Sequence, residues 1–256
     1  AGLDYINLKE DHLITFVDSD DYLKKDFLEH NLNLMLENDC DLVCSSYKSF
    51  EEGTMPKELN EPLIENVFEK EDALFKLISD EIKCHTPCKL YRSKLWDGFR
   101  FDENISFLED EYTTPQIFNK CNKIAVSNYR GYYYLHRSGS LCRSKQTTNK
   151  IFDAINAYIF LYNFDFDISD VKKEDLKRVV LDQFFDVYLM MSIRLDIKNL
   201  NDSEKEKWLE IKKFVKDSRA FKFYKVTSLK RFVKKTIYFV FPHIYPKIYR
   251  LFTKEY

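Results

Sequence analysis

The run Leu13-Ile14-Thr15-Phe16-Val17 is apolar or β-branched throughout, a pattern that predicts a strand buried on both faces of a parallel sheet, and Asp18, Ser19, Asp20 and Asp21 follow at its carboxyl end. Behind them Tyr22, Phe27, Leu28, Leu32 and Met35 recur near helical spacing with Lys24, Lys25 and Glu29 on the other side, so a helix is expected after the acidic turn. A second strand is expected over 41–47, DLVCSSY, and strand, helix, strand in this order implies a parallel sheet with a right-handed crossover. Open sheets of this kind bind ligands beyond the carboxyl ends of their strands, where the aspartates lie.

Residues 51–70 hold one glycine and two prolines and read as a loop or excursion. Leu74, Phe75, Leu77 and Ile78 predict a short helix over 72–82, and another helix is expected to begin near Glu109-Asp110-Glu111. The stretch KIAVSNYRGYYYLHRSGSL, 123–141, reads as strand-rich with a basic turn after Tyr132, Tyr133 and Tyr134. From Lys150 helical spacing takes over, through Ile151, Ile155, Tyr158, Ile159 and Tyr162, then Leu176, Val179, Val180, Gln183, Phe184 and Val187. The expected fold is therefore α/β, a mainly parallel sheet flanked by helices, followed by a helical C-terminal region. Its expected divisions are 1–146, 147–220 and a basic amphipathic tail, 221–256.

In that tail Leu229, Phe232, Val233, Ile237, Val240 and Phe241 share one helical face, and Lys230, Arg231, Lys234 and Lys235 the other. Two readings stand side by side. The segment 229–254, extended by Lys247, Arg250 and Lys254, could dock on an anionic membrane. Equally, it could pack on the main domain with its basic side solvated.

Composition narrows the picture where patterning does not. With 45% hydrophobic and 32% charged residues in 256, the chain is a folded globular protein and not a disordered one. Lys and Arg total 40 against 42 Asp and Glu, so no nucleic-acid partner is implied and electrostatic function must be local. The six cysteines are too scattered for a disulfide scaffold and indicate reduced thiols in a cytoplasmic protein. Cys84, His85 and Cys88 have no second pair at zinc-site spacing. The opening AGLDYINLKED has neither the basic start nor the apolar core of a signal peptide, and no run is long enough to cross a membrane.

Three short stretches could carry chemistry. Asp18, Asp20 and Asp21 could share a hard divalent cation with substrate phosphates, or Asp18 or Ser19 could simply cap the following helix. Glu109 and Asp110 suit the positive end of a helix, or one of them could serve as a general base. His136-Arg137-Ser138-Gly139-Ser140 could gather cations and N–H groups round phosphate oxygens, or be an exposed basic loop.

Taken in order, "AGLDY…ITFVDSDDYL", "DLVCSSY", "CKLYRSKLW…FRFDENISFLEDEYTTPQIF" and "YRGYYYLHRSGSL" resemble the family 2 glycosyltransferases of the GT-A fold, especially bacterial enzymes of capsular and other surface polysaccharides. The resemblance covers about residues 1–145. It implies an inverting, metal-dependent transfer of sugar from a nucleotide-sugar donor to a glycan or polyprenyl-linked acceptor, in the cytoplasm or at the inner face of the cell membrane. By it Asp18 and Asp20 match the DxD motif that contacts the donor and ligates Mg²⁺ or Mn²⁺, with Asp21 beside them and Asp20 the better ligand. Asp110 matches the base that deprotonates the acceptor hydroxyl, and Glu109 supports it. Arg137 and Ser140 match the region that closes over the diphosphate, and His136 is a further metal candidate.

The family's first strand, with its PxYN-like turn, and its DDGSxD-like turn hold the nucleotide base and ribose, and nothing before Ala1 resembles either. The resemblance therefore implies a chain lacking its N-terminal nucleotide-binding segment, with impaired activity. A strand ending in DxD also resembles haloacid-dehalogenase-type phosphatases, in which Asp18 would be the nucleophile. There Thr or Val is common where Tyr22 stands. A non-catalytic remnant or a membrane-surface interaction module is the remaining alternative.

Overall fold

The structure is a computed structural model that describes residues 2–8, 10–56, 61–137, 147–227 and 229–240. It divides into two compact units, one of residues 1–102 with 113–144, the other of 103–112 with 145–256.

In the first unit the strands are β1 (Leu13–Ile14), β2 (Tyr22–Leu23), β3 (Leu42–Cys44), β4 (Tyr47–Glu51), β5 (Glu65–Glu69), β6 (Lys89–Arg92), β7 (Lys123–Ser127) and β8 (Tyr132–His136). They form a five-stranded sheet in the order β1-β6-β3-β7-β5 and a three-stranded sheet in the order β2-β8-β4. The larger sheet is mixed. Only β3 and β7 pair in parallel, whereas β6 runs antiparallel between β1 and β3, and β5 antiparallel to β7. The expectation of a mainly parallel sheet fails at these neighbours. The backbone of β6 separates β1 from β3, so the crossover between them does not join adjacent strands.

The first strand is also shorter and more exposed than its apolar run suggests. Ile14 is buried, but Leu13 and Val17 are 39% and 43% exposed, because β1 lies at the edge of the sheet. The helix expected next begins later, at α1 (Phe27–Asn38), and Tyr22 belongs to β2 instead. Its buried face is Phe27, Asn31, Leu34 and Met35, while Leu28 faces solvent. Asn31 is tolerated there because its amide donates to the Phe27 carbonyl at 2.7 Å and its oxygen accepts from the Ser45 hydroxyl. Within the expected excursion at 51–70, residues 65–69 form β5, which pairs along its whole length with β7. The short helix is α2 (Lys70–Ile78), and α3 runs Glu109–Lys120, starting at the acidic cluster.

Residues 83–88 wrap the buried ammonium of Lys89, which donates to the carbonyls of Lys83, at 2.8 Å, and His85. The five described cysteines are buried free thiols. Burial pushes the Cys88 thiol up to about 12 and that of Cys44 to about 11, so neither is a thiolate near neutrality.

The second unit is helical: α4 (Thr148–Asn163), α5 (Asp170–Arg194), α6 (Asp202–Ser218) and α7 (Leu229–Val240). Its core includes Ile155, Phe184, Phe185, Leu189, Trp208 and Ile211. Among the described residues no helix is long and apolar enough to cross a membrane.

The orientation of α7 departs from the packed reading of the tail in one respect, that its basic side is not wholly solvated. Arg231 points into the unit, with its guanidinium 3.2 Å from the carboxylate of Asp182 on α5 and 4.5 Å above the Tyr224 ring. The Lys235 ammonium donates to the Tyr224 carbonyl at 3.3 Å, and Tyr238 packs edge-on against Phe185. Phe232 and Val233, by contrast, are 53% and 36% exposed. Buried aspartate on α5 is the physical reason: a guanidinium compensates it better than an apolar side chain could. Phe241, Lys247, Arg250 and Lys254 lie outside the described residues.

Arg231→Met is therefore expected to destabilise the second unit by on the order of 3 kcal/mol, because it leaves Asp182 a buried anion with one backbone N–H partner. Urea unfolding followed by circular dichroism checks this, and an unchanged midpoint would show the pair to be idle.

Candidate active site

β1 ends at Ile14, and the chain then turns through residues 18–21, with the Asp21 N–H donating to the Asp18 carbonyl at 3.1 Å. The turn feeds β2, whose Tyr22 and Leu23 pair antiparallel with Tyr133 and Tyr132 of β8. None of these residues caps α1, because the helix begins at Phe27 with Asp26 at its N-cap. The capping alternative is thereby removed.

One side chain fixes both ends of the turn. The buried Tyr132 hydroxyl donates to Asp21 Oδ2 at 2.7 Å and accepts the Asp18 N–H at 3.1 Å. Asp21 Oδ1 accepts the Leu135 N–H at 2.8 Å, so this carboxylate continues the β2–β8 ladder one rung past its last backbone pair. Burial, with Asp21 and Asp18 close by, raises the Tyr132 phenol well above its ordinary range, so it stays a donor at any physiological pH. Asp21 is thus occupied in holding the turn, while the Asp18 side chain is exposed and Asp20 half-buried.

The structure brings together Asp20 and Arg137. Arg137 Nε lies 2.7 Å from Asp20 Oδ2, with the guanidinium side chain 53% exposed and the carboxylate 27%. β8 is what delivers the arginine, since Arg137 follows its last residue, His136. His136 rests edge-on against Tyr134 at 4.9 Å. Ser140, with Arg143 and Lys145, lies outside the described residues.

Sequence patterning misses Tyr132, which looked like one of three equivalent tyrosines. The only signal available was alternation: Tyr132 is the strand residue whose face turns to Phe27, 6.5 Å away between ring centroids. Tyr132→Phe is expected to cost about 1–2 kcal/mol, since it strips Asp21 of one donor and leaves the Asp18 N–H without its acceptor. Thermal unfolding measures this, and equal stability of the two proteins would contradict the clip.

Glu109 and Asp110 open α3 in its first turn, Glu109 exposed and Asp110 half-buried. The backbone enters through Leu108 at φ +58°, and the Glu111 N–H donates to the Leu108 carbonyl at 3.0 Å. The turn is anchored on both sides by α4. Ser106 donates through its N–H and hydroxyl to Asp153 Oδ2, at 3.1 and 2.8 Å, and the Tyr112 hydroxyl donates to the Asp153 carbonyl at 3.1 Å. Pro115, lacking an N–H, makes no helical bond to the Glu111 carbonyl.

Residues 2–99 match the family model described as Glycosyl transferase family 2. The poly(ribitol-phosphate) beta-glucosyltransferase of Bacillus spizizenii is 26% identical over 214 residues, covering 80% of this chain and 31% of that protein. Glycosyltransferase GlyA of Streptococcus pneumoniae serotype 4 is 30% identical over 173 residues, 61% of this chain and 24% of that one. The chain thus spans about a quarter to a third of the length of these relatives. Among solved structures, residues 1–349 of S. aureus TarS in complex with UDP-GlcNAc superpose with a TM-score of 0.57 at 19% identity, covering 85% of this chain and 62% of that one. The GT-A-like α/β fold with a helical C-terminal region is shared with it.

Proposed function

We propose, from the match of residues 2–99 to the Glycosyl transferase family 2 model, that the chain transfers a sugar, with inversion, from a nucleotide-diphosphate sugar to a hydroxyl of a surface glycan or lipid-linked glycan. The observation that carries this reading is the Asp20–Arg137 pair, a carboxylate and a guanidinium brought to one point from distant segments. A diphosphate bound together with a divalent cation would call on the same two charges. The Asp20 carboxylate would hold the cation, and the Arg137 guanidinium would answer the phosphate oxygens.

The donor set suits Mg²⁺ or Mn²⁺. Asp18 and Asp20 offer hard carboxylate oxygens, and His136 offers a nitrogen at the same end of β8. Among the described residues no three His, Cys, Asp or Glu side chains are grouped to hold a metal unaided. A cation that draws its remaining ligands from substrate phosphates needs only one or two carboxylates. Bound there, it would supply positive charge to the departing diphosphate.

The chain's own residues do the rest. Arg137 leaves Asp20 for the diphosphate, where it neutralises charge that grows as the sugar–phosphate bond breaks. Ser140 is assigned to the same group. Asp21, held by Tyr132 and Leu135, keeps the turn in shape. Asp110 takes the acceptor proton as that oxygen attacks the anomeric carbon, and Glu109 supports it. The reaction is assigned to the cytoplasm, with 229–254 as the segment that would meet an anionic membrane.

Exchange of partners at Asp20 gives a test with two opposite signs. Arg137→Gln is expected to weaken UDP binding about tenfold, yet to strengthen binding of Mn²⁺ alone, because Asp20 loses its internal cation. Calorimetric titration with UDP and with MnCl₂ reads both, and weakening of both would sink this reading.

A further inference from the structure

We propose that the outer face of the three-stranded sheet binds an anionic, phosphodiester-linked polyol or sugar chain and leads it toward the Asp18–Asp21 turn. This rests on the glycan-acceptor reading above and names the chemical class of that acceptor.

The face follows from register. Tyr22 pairs with Tyr133, Tyr133 with Lys48, and Leu135 with Phe50, so these side chains alternate away from the buried Tyr132 and share the opposite side. They remain accessible: Tyr22 is 58% exposed, and the others are half-buried. Tyr22 and Phe50 lie 5.8 Å apart between centroids, a pair of tilted rings open to solvent. At the other end of β8 the face continues into a cleft lined by Lys24, Lys48, Tyr129, Arg130 and Tyr133 together with Glu61.

Rings and cations alternate along this strip. Among the described residues Lys48 pairs with no acidic side chain, Lys24 sits 5.7 Å above the Tyr129 ring and 3.8 Å from Asp26, and Arg130 pairs with Glu61 at 3.1 Å. Aromatic rings offer flat apolar surface to the C–H faces of a sugar or polyol, while lysine and arginine answer phosphodiester oxygens. A neutral glycan would leave the cations unused, and a simple polyphosphate would leave the rings unused. From Gly131 to Arg137 the strand spans about 20 Å, room for several repeat units. The strip ends at the donor turn, since Tyr22 follows Asp21 directly.

The test titrates residues 1–256 with a polyol-phosphate oligomer, a neutral dextran oligomer and inorganic polyphosphate. The polyol-phosphate is expected to bind tightest. Lys48→Glu and Tyr22→Ala, both at accessible positions, should each weaken it about tenfold, with circular dichroism confirming that the fold is intact. Absence of binding, binding of dextran as tight, or polyphosphate binding indifferent to Tyr22→Ala would overturn the proposal. Loss of sugar transfer with polymer binding retained would count against the transferase reading alone.

Discussion

Asp20→Asn is expected to lower kcat/KM for sugar transfer about a thousandfold, the largest effect of any single change in the first unit. Asparagine keeps the shape and one acceptor oxygen but removes the charge that would hold a divalent cation and that now pairs with Arg137. The loss should therefore appear in metal dependence: the concentration of Mn²⁺ needed for half-maximal rate rises, and UDP binding in the presence of Mn²⁺ falls with it. Folding should be little affected, because Arg137 is more than half exposed and water can replace its partner. Asp21→Asn is the informative contrast. Its carboxylate accepts from Tyr132 and Leu135, so the change should lower stability first and activity only through the looser turn. If Asp21→Asn removed metal dependence while Asp20→Asn left it intact, the assignment within the turn would be reversed.

The second large effect is expected at Asp110. Asp110→Asn removes the group assigned to accept the acceptor proton, and kcat should fall by about two to four orders of magnitude. Donor and metal affinity should stay near those of the unaltered chain, since nothing in that role touches the diphosphate. Glu109→Gln should cost much less, because Glu109 is exposed and is assigned only a supporting part. Single-turnover transfer together with UDP titration separates the two effects. Equal losses in donor affinity and in rate would place Asp110 on the donor side and end its candidacy as base.

The acidic stretches that hold Asp20 and Asp110 were legible in the sequence through their order along the chain, and the roles given to them are proposals. What surrounds them was not, and the reasons are physical. Tyr22 fits a helical period with Phe27 and an extended one with Tyr133, and only pairing with β8, far along the chain, selects the second. Residues 65–69 carry no strand signal strong enough to outweigh the flanking Pro62, yet β7 offers them a full ladder. The apolar run before Asp18 predicted burial on two faces, but burial depends on neighbours, and β1 has only β6. Tyr132 could not be singled out because its role is a pair of hydrogen bonds to residues more than a hundred positions away. The α/β class, the start of α3 and the change to helices near residue 148 survive because each rests on local periodicity.

The inward turn of Arg231 alters how the tail should be dissected. A deletion ending before α7, the obvious way to ask whether this segment meets a membrane, also takes the guanidinium from Asp182 and the Tyr238 ring from Phe185. Poor lipid binding by such a protein would then report damage to α5 as readily as a lost anchor. Reversing Arg231 together with the neighbouring lysines has the same fault, since it would set a carboxylate against a buried one. Phe232 and Val233 lie on the side that touches neither, so replacing them with serine probes the tail's outward surface and leaves its root in place.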